Sequence, residues 1–284
     1  MSRPPASKPV RLLASDLDGT LLRSDGAVSV GTREALAAAE ASGLIVAFVT
    51  GRPPRWLHDV AEATGHTGVA VAANGALLYD LHSEKVISEH PLDTEALASV
   101  TEALRRKIPE VRFAMEYGLE FAYEPEYRHD WQIVPNATDG PATRPQPQAT
   151  AAELDELLSR PAIKLLAKAR DLDPDAFMAA VEELVGDQVT VTRSGRTPLV
   201  EISATGITKA SGLAALARSH GVDRADVATV GDMPNDVPML EWSGHSYAVA
   251  NAHPAARAAA QVVLADSNDD DAVAHLIRAL LTGP

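Results

Sequence analysis

Residues 10–22 read Val-Arg-Leu-Leu-Ala-Ser-Asp-Leu-Asp-Gly-Thr-Leu-Leu, and the rest of the chain is organised around this stretch. Its first six residues are mostly apolar and have the length of a buried strand. That strand runs into Asp16 and Asp18, and Gly19 permits a tight turn just beyond them. Two carboxylates at the mouth of an apolar strand repel each other and are costly to desolvate, and a divalent cation offsets both costs. A few hard oxygen ligands favour Mg2+, which also binds substrate phosphates.

The composition is that of a globular chain of 284 residues, which suggests two domains or one large one. Hydrophobic residues make up 46% of the chain, enough for a sizeable core, and no run of about 18 apolar residues predicts a membrane-spanning helix. Met1–Lys8 lacks the apolar stretch of a signal peptide. The absence of cysteine excludes disulfides and thiolate metal sites. Together these features predict a soluble, cytoplasmic protein.

The net charge of −14 argues against a general binder of nucleic acids or anionic membranes. It is compatible with a small phosphorylated metabolite as partner, because a phosphate site needs only local positive charge. We therefore expect a small-molecule partner, no nucleic acid and no membrane. The oligomeric state is left open.

The two ends of the chain alternate apolar strands with helices. Beyond the opening strand, further strands are predicted at Leu44–Val49, Val69–Ala73, Val227–Val230, Tyr247–Val249 and Val262–Leu264. Ser29 and Thr208 are the predicted N-caps of two intervening helices. Strands separated by helices pair in parallel through right-handed crossovers, and ligands bind at the carboxyl edge of such a sheet.

The middle of the chain has a different pattern, with short paired strands between helices. A hairpin is predicted around Tyr117-Gly118. We interpret residues 84–203 as a separate α/β domain, inserted into a discontinuous first domain of residues 1–83 and 204–284. The fold class is therefore α/β, with a Rossmann-like parallel sheet completed by the segments on either side of the insertion.

The predicted strand ends collect the groups that phosphoryl transfer requires. They are Asp16, Asp18, Thr50, Gly51, Asp232, Asn235 and Asp236, and Lys209 lies in the first turn of the helix that follows Thr208. The reaction needs a cation held by carboxylates, hydrogen-bond donors for the phosphate oxygens and a point positive charge. One carboxylate can be the nucleophile, and a second can protonate the leaving oxygen and later deprotonate water.

The chain resembles the haloacid dehalogenase superfamily, in its Cof-like sugar-phosphatase branch, subfamily IIB. The resemblance rests on four motifs in the family's order: Asp16-Leu17-Asp18-Gly19-Thr20, Thr50-Gly51-Arg52, Lys209, and Gly231-Asp232-Met233-Pro234-Asn235-Asp236. The pairs Asn74-Gly75 and Asn251-Ala252 also match this branch. The resemblance covers nearly the whole chain from Val10 on, and it implies an inserted α/β cap of type C2B.

The resemblance also implies a role for each motif residue. Asp16 is the expected nucleophile, and Asp18 is the expected general acid and base. The expected Mg2+ ligands are the Asp16 carboxylate, the Asp18 backbone carbonyl and Asp232. The expected phosphate contacts are the Leu17 and Gly51 amides, Thr50, Lys209 and Asn235. Asp236 is expected to orient Lys209 or a metal-bound water, and Arg52 either reaches the substrate or covers the start of its helix.

Simpler interpretations stay open for the same residues. An Asp/Gly turn often follows a strand without forming a site, and Asp232 and Asp236 stand where aspartate commonly caps turns. Lys209 could be a solvated helix residue, although a lysine in an arginine-preferring chain favours a compact point charge. In the inserted domain the substrate candidates are Tyr117, Glu120, Tyr127 and His129-Asp130-Trp131. Polar and aromatic residues in such loops more often pack against their own domain than contact a substrate.

The function predicted from the sequence is a Mg2+-dependent phosphomonoesterase acting on a small phosphorylated metabolite, with a sugar phosphate favoured. The alternatives are a phosphomutase, a pathway-specific phosphatase such as one for trehalose phosphate, and a phosphate-sensing regulator without turnover. Specificity is expected to reside in the inserted domain, in the window Tyr117–Trp131. Linkers that allow this domain to move are expected near Ser83–Pro91 and Ser203–Gly206.

Overall fold

The computed structural model describes residues 10–127, 149–195 and 197–282. Its strands, in chain order, are β1 (Leu12–Ser15), β2 (Ile45–Val49), β3 (Val69–Ala72), β4 (Leu77–Asp80), β5 (Lys85–Glu89), β6 (Arg112–Tyr117), β7 (Glu120–Tyr123), β8 (Ala149–Ala151), β9 (Lys164–Lys168), β10 (Val189–Thr192), β11 (Leu199–Ala204), β12 (Val227–Gly231), β13 (His245–Ala248) and β14 (Val262–Val263). Its α-helices are α1 (Val30–Ala41), α2 (His58–Thr64), α3 (Thr94–Lys107), α4 (Leu154–Leu157), α5 (Pro174–Val185), α6 (Lys209–Ser219), α7 (Val237–Trp242), α8 (Pro254–Ala259) and α9 (Ala272–Thr282). None of the helices in these ranges combines the length and the apolarity that crossing a membrane requires.

The larger sheet has eight strands in the order β14-β13-β12-β1-β2-β3-β4-β5. From β14 to β3 all neighbours are parallel, as the alternation of strands and helices predicts. β1 lies near the middle, between β12 and β2, and all four of its residues are buried. Helices cover both faces of a parallel sheet, so its central strands β1 and β12 are buried along their whole length and are mostly apolar rather than alternating.

The last two strands of the larger sheet differ from the prediction. β4 pairs antiparallel with β3, and β5 pairs antiparallel with β4. The predicted domain boundary between residues 83 and 84 therefore falls inside the turn of a hairpin, and the larger sheet continues to Glu89. β5 was missed because it is an exposed edge strand whose residues show no apolar alternation. The Asp80 side chain closes the turn by accepting hydrogen bonds from the Ser83 backbone and hydroxyl.

The smaller sheet has six strands in the order β10-β11-β9-β6-β7-β8. Helices α3 and α5 pack on one of its faces around a buried cluster that includes Phe113 and Phe177. The opposite face is turned toward the larger sheet, since Glu116 and Lys164 on this face both hydrogen bond to residues of that half. We call residues 90–127, 149–195 and 197–204 the cap, and residues 10–89 and 205–282 the core.

Helix starts follow the sequence closely. Ser29 accepts the backbone N–H of Thr32 at the start of α1, as predicted. Thr208 forms a capping box with Ser211, which fixes the first turn of α6. The start of α6 matters for the site, because its first residue is Lys209. The N-cap residue Thr208 fixes this start, and the Lys209 side chain therefore reaches the carboxyl edge of the larger sheet.

Candidate active site

The carboxyl ends of β1, β2 and β12 are adjacent in the larger sheet, so the residues that follow them meet. Asp16 follows β1, and its backbone N–H donates to the Val230 carbonyl of the neighbouring strand at 3.0 Å. Thr50 follows β2 and Asp232 follows β12. All three side chains are buried. The sheet thus brings together the groups that the sequence predicts for one site, although they lie far apart along the chain.

Lys209 joins two carboxylates at this edge. Its Nζ donates to Asp16 Oδ1 at 2.5 Å and to Asp236 Oδ1 at 2.6 Å. Burial by itself lowers the pKa of Lys209, but the attraction of Asp16 and then of Asp236 outweighs it and raises that pKa, so the ammonium stays charged. Burial raises the pKa of Asp16 well above its ordinary value, against the opposing effect of Lys209.

Asp232 completes a buried acidic cluster. Thr20 Oγ1 donates to Asp232 Oδ1 at 2.9 Å, and a carboxylate oxygen of Asp232 lies within 4.8 Å of one of Asp16. Burial, followed by the negative charge of Asp236, raises the pKa of Asp232 to about 6. In the folded chain these carboxylates therefore lie close enough for their negative charges to repel each other.

The donor set fits a hard divalent cation. Carboxylate oxygens of Asp16, Asp232 and Asp236 all lie within 4.8 Å of one another. Asp236 is already used, because its Oδ1 accepts from Lys209 and its Oδ2 accepts the N–H groups of Asp232 and Met233. The oxygens left for a cation thus belong to Asp16 and Asp232. Three carboxylates and one ammonium leave two uncompensated negative charges when all are ionised, which one divalent ion neutralises.

Backbone donors border this cluster. The N–H groups of Leu17 and Gly51 have no acceptor among the residues that the structure describes, whereas the Leu17 side chain is buried in the apolar core. Thr50 Oγ1 accepts the Arg52 N–H at 3.0 Å, which tightens the turn after β2. Free amide N–H groups next to a lysine and a cation site are suited to the oxygens of a phosphate.

Asp18 and Arg52 form a pair at the rim. The Arg52 guanidinium donates from Nε to Asp18 Oδ2 at 2.7 Å and from Nη2 to Asp18 Oδ1 at 2.5 Å. The Asp18 side chain is 56% exposed, so it lies at the entrance rather than in the buried cluster. The sequence left two roles open for Arg52, contact with a substrate or covering the start of its helix. In the structure its guanidinium makes a bidentate contact with the Asp18 carboxylate.

Comparison with known proteins supplies the family. The haloacid dehalogenase-like hydrolases match residues 13–277 of this chain. The chain belongs to this family. The resemblance seen in the four motifs is thereby confirmed, and so is the predicted class of enzyme, a phosphatase.

Relatives of this hydrolase match along nearly their whole length. The protein YxeH of Bacillus subtilis (strain 168) is 30% identical over 279 residues, covering 95% of this chain and 98% of that one. The pyridoxal phosphate phosphatase YbhA of Escherichia coli (strain K12) is 28% identical over 283 residues, covering 94% and 97%. The solved structure of the subclass IIB sugar phosphatase BT4131 superposes with a TM-score of 0.76 at 20% identity, covering 94% and 98%, which confirms the predicted fold class.

Two residues of this hydrolase at the cap–core junction were missed from the sequence. Glu201 lies inside the mostly apolar strand β11, and Lys164 is the first residue of β9, next to its apolar stretch; both are buried. A charge within an apolar strand was the available signal, because such a residue is rarely buried without a partner. Their contacts with the core are described below.

The predicted substrate window in the cap stays a prediction. Tyr117 donates its hydroxyl to the Leu157 carbonyl at 2.5 Å, and the exposed Glu120 pairs with Arg160. Both contacts stay within the cap, so neither side chain is directed at the core. Tyr127 is buried in a small cluster with Phe121 and Tyr123. The stretch His129-Asp130-Trp131 lies outside the described residues.

Gly19 offers a test of how closely the turn after β1 must approach Asp232 in this hydrolase. A Cβ at residue 19 would lie 2.5 Å from Asp232 Oδ2, and the Gly19 φ is +77°. We expect Gly19→Ala to displace Asp232 and to lower kcat/KM for an aryl phosphate by about 100-fold, since displacements of about 1 Å have effects of that size. The measurement is steady-state phosphate release together with thermal unfolding.

Gly26→Ala is the matched control for this substitution. Gly26 has a similar φ of +81°, but nothing lies within 4 Å of an added Cβ. It should carry the same backbone strain, about 1 kcal/mol, and leave turnover unchanged. Equal losses of activity in the two variants would show that the contact with Asp232 is unimportant.

Proposed function

We propose that this phosphatase hydrolyses a phosphate monoester of a small metabolite, with a sugar phosphate favoured, by a Mg2+-dependent reaction through an aspartyl-phosphate. The observation that carries the proposal is the position of Asp16. Its buried carboxylate is held by Lys209 at 2.5 Å, next to Asp232 and next to two backbone N–H groups that have no acceptor in the described part of the chain. A nucleophile, a cation site and donors for phosphate oxygens therefore share one strand edge.

In the first step, an Asp16 carboxylate oxygen attacks phosphorus and the bond from phosphorus to the ester oxygen breaks. The phosphate oxygens lie against the Leu17 and Gly51 amides, Thr50 and Lys209, which stabilise the charge that develops there. Asn235, buried beside Asn74, is the remaining proposed contact. Lys209 also holds the Asp16 carboxylate in place through its contact with Oδ1.

Asp18 is the proposed general acid and base. It protonates the leaving ester oxygen, and in the second step it takes a proton from the water that attacks the aspartyl-phosphate, which regenerates Asp16. Arg52 holds the Asp18 carboxylate from both of its oxygens and is therefore the group that positions it at the entrance. The substrate must displace or share this contact when its leaving group enters.

Asp16, Asp232 and the Asp18 backbone carbonyl are the proposed protein ligands of Mg2+. When bound, Mg2+ supplies compensation for the adjacent carboxylates and for the phosphate charge. Asp236 does not bind the ion in this assignment, because both of its oxygens are used by Lys209 and by backbone N–H groups. Its role is to hold Lys209 and the turn after β12.

The substrate class is supported by the relatives and by the cap. The Escherichia coli relative acts on pyridoxal phosphate, and the structurally similar BT4131 is a sugar phosphatase, both small phosphorylated compounds. The cap lies against the strand ends of the core, where Glu116 accepts a hydrogen bond from Arg55 and Lys164 donates to the Gly51 carbonyl. A cap of this kind excludes bulk water and contacts the leaving group, so we place the specificity in the cap. The cytoplasmic location stays a prediction.

A panel of phosphate esters tests the substrate class. We expect Mg2+-dependent phosphate release from one or more hexose or pentose phosphates, with kcat/KM at least about tenfold above that for p-nitrophenyl phosphate, because the cap adds contacts to the leaving group. Pyridoxal phosphate is included as the alternative metabolite. A preference for pyridoxal phosphate would overturn the sugar phosphate, and no release from any ester would overturn phosphatase activity itself.

A further inference from the structure

A buried ion pair of the cap lies against the core beside the phosphate site. Lys164 Nζ donates to Glu201 Oε2 at 2.7 Å, and the two residues are 3% and 4% exposed. Ser194 donates to the other Glu201 oxygen. Burial opposes ionisation of Glu201, but the Lys164 charge outweighs it and keeps the pKa of Glu201 below its ordinary value. The pair is therefore charged.

Each partner of this pair makes one contact with the core, and the two contacts are complementary. Lys164 Nζ donates to the Gly51 carbonyl at 2.6 Å, and Glu201 Oε2 accepts from Asn74 Nδ2 at 2.6 Å. The ammonium of Lys164 thus contacts a hydrogen-bond acceptor of the core, and the carboxylate of Glu201 contacts a donor. A Cβ at Gly51 would lie 3.1 Å from Asn74 Oδ1 and 3.3 Å from Glu201 Oε2, so a side chain at residue 51 would crowd both.

The backbone presents Asn74 to the cap. Ala73, Asn74 and Gly75 have φ of 50°, 56° and 98°, three consecutive residues in the left-handed region. Such a conformation costs free energy in residues other than glycine and persists where its surroundings enforce it. Here it places a fully buried amide between the cap and the turn after β12.

The charge of Glu201 determines the orientation of two core amides. A carboxylate only accepts hydrogen bonds, so it fixes the Asn74 amide with Nδ2 toward the cap, where Thr192 Oγ1 accepts the second hydrogen at 3.2 Å. Asn74 Oδ1 then faces the core and accepts from Asn235 Nδ2 at 3.0 Å. This contact uses one of the two Asn235 Nδ2 hydrogens and keeps the other for a phosphate oxygen, whereas Asn235 Oδ1 is buried without a partner among the described residues.

We infer that Glu201, Lys164 and Asn74 are positioning residues that complete the phosphate site only when the cap is seated on the core. Lys164 holds the Gly51 peptide, next to an N–H that faces the phosphate position. Glu201 orients Asn235 through Asn74. The Lys164–Glu201 pair is internal to the cap and persists when the cap moves, whereas its two contacts with the core are made at seating. The inference rests on the proposed function, because it concerns the same phosphate site.

The direct test replaces the anion by its neutral isostere. Glu201→Gln lets the Asn74 amide turn over, so we expect kcat/KM for p-nitrophenyl phosphate to fall by about 10- to 100-fold, the effect of losing a charge-assisted hydrogen bond. Inhibition by inorganic phosphate should weaken by a similar factor. The aryl ester and inorganic phosphate are chosen because they report on the phosphate site with little or no leaving group in the cap.

Glu124→Gln is the matched control. Glu124 is also a buried carboxylate of the cap paired with an arginine, Arg105, but its hydrogen bonds, to Arg105 and to the Phe113 N–H, stay within the cap. It should leave kcat/KM and phosphate inhibition unchanged. A loss equal to that of Glu201→Gln would mean that any cap charge affects activity through stability, which overturns the inference.

A second variant approaches the network from the core. Asn74→Gly keeps the left-handed backbone and removes the amide, so it should reproduce the loss caused by Glu201→Gln even where the latter folds poorly. The double variant should lose no more than either single one, since both interrupt one chain of contacts. The inference would be overturned if the loss in the double variant equalled the product of the two single losses. It would also be overturned if Glu201→Gln kept activity within twofold of wild type. Wild-type protein that releases no phosphate would instead overturn the proposed function.

Discussion

We expect Asp16→Asn to abolish phosphate release, by on the order of 10⁴-fold or more, while the chain stays folded. The amide has no free anionic oxygen to attack phosphorus, and loss of a covalent nucleophile has effects of this size. The fold should survive because burial raises the pKa of Asp16. An acid with a raised pKa destabilises the folded state at higher pH, so its neutral replacement does not lower the stability of the metal-free protein. Lys209 keeps Asp236 as its partner.

The measurements are phosphate release, thermal unfolding and trapping with beryllium fluoride, which mimics an aspartyl-phosphate and should stabilise wild type but not the variant. Asp226→Asn is the matched control. Asp226 is also buried, but it precedes β12 at the amino edge of the sheet, opposite the site. The control should keep full turnover. Activity of Asp16→Asn above a small fraction of wild type would show that another group is the nucleophile.

The second large effect is expected from removal of the metal. Excess chelator should eliminate turnover and Mg2+ should restore it, whereas Ca2+ should be a poor substitute because it prefers more ligands and looser geometry. Asp232→Asn should lower the rate and raise the Mg2+ concentration for half-maximal activity by at least about 10- to 100-fold, because losing a charged ligand costs no less than losing a residue that only orients one. Full turnover in excess chelator would contradict a metal-dependent reaction.

Metal binding should also be measurable without turnover and should depend on pH. Mg2+ binds the folded state, so it should raise the unfolding temperature of wild type, and less so that of Asp232→Asn. The pKa of Asp232 is about 6, so its carboxylate is ionised above that pH and becomes protonated as the pH falls through it. Since a ligand must be deprotonated to bind, the stabilisation by Mg2+ should fall between pH 7 and pH 5. A shift that is independent of pH would exclude Asp232 as a ligand.

Local sequence features determined most of the core. The mostly apolar stretch that forms β1 predicted a buried strand, and two aspartates that follow such a strand lie at the carboxyl edge of a parallel sheet. Thr208 set the start of α6 and with it the position of Lys209. These outcomes depend on local preferences for strands and helix starts and on the parallel arrangement of the sheet, and the sequence alone predicts both.

Long-range contacts decided what the sequence did not show. β5 has an uninformative pattern and became a strand only by pairing with β4. Arg52 lies 34 residues from Asp18, and Glu201 lies 127 residues from Asn74, so no local pattern links either pair. A charged residue in a mostly apolar strand indicates that it needs a partner. Docking of the cap on the core determines which residue that partner is, because the two contacting surfaces form only when both domains are folded. The sequence by itself therefore determined the parallel strands of the larger sheet and the predicted site at their carboxyl edge. The tertiary structure decided the antiparallel strands β4 and β5 and the contacts of the cap with the core.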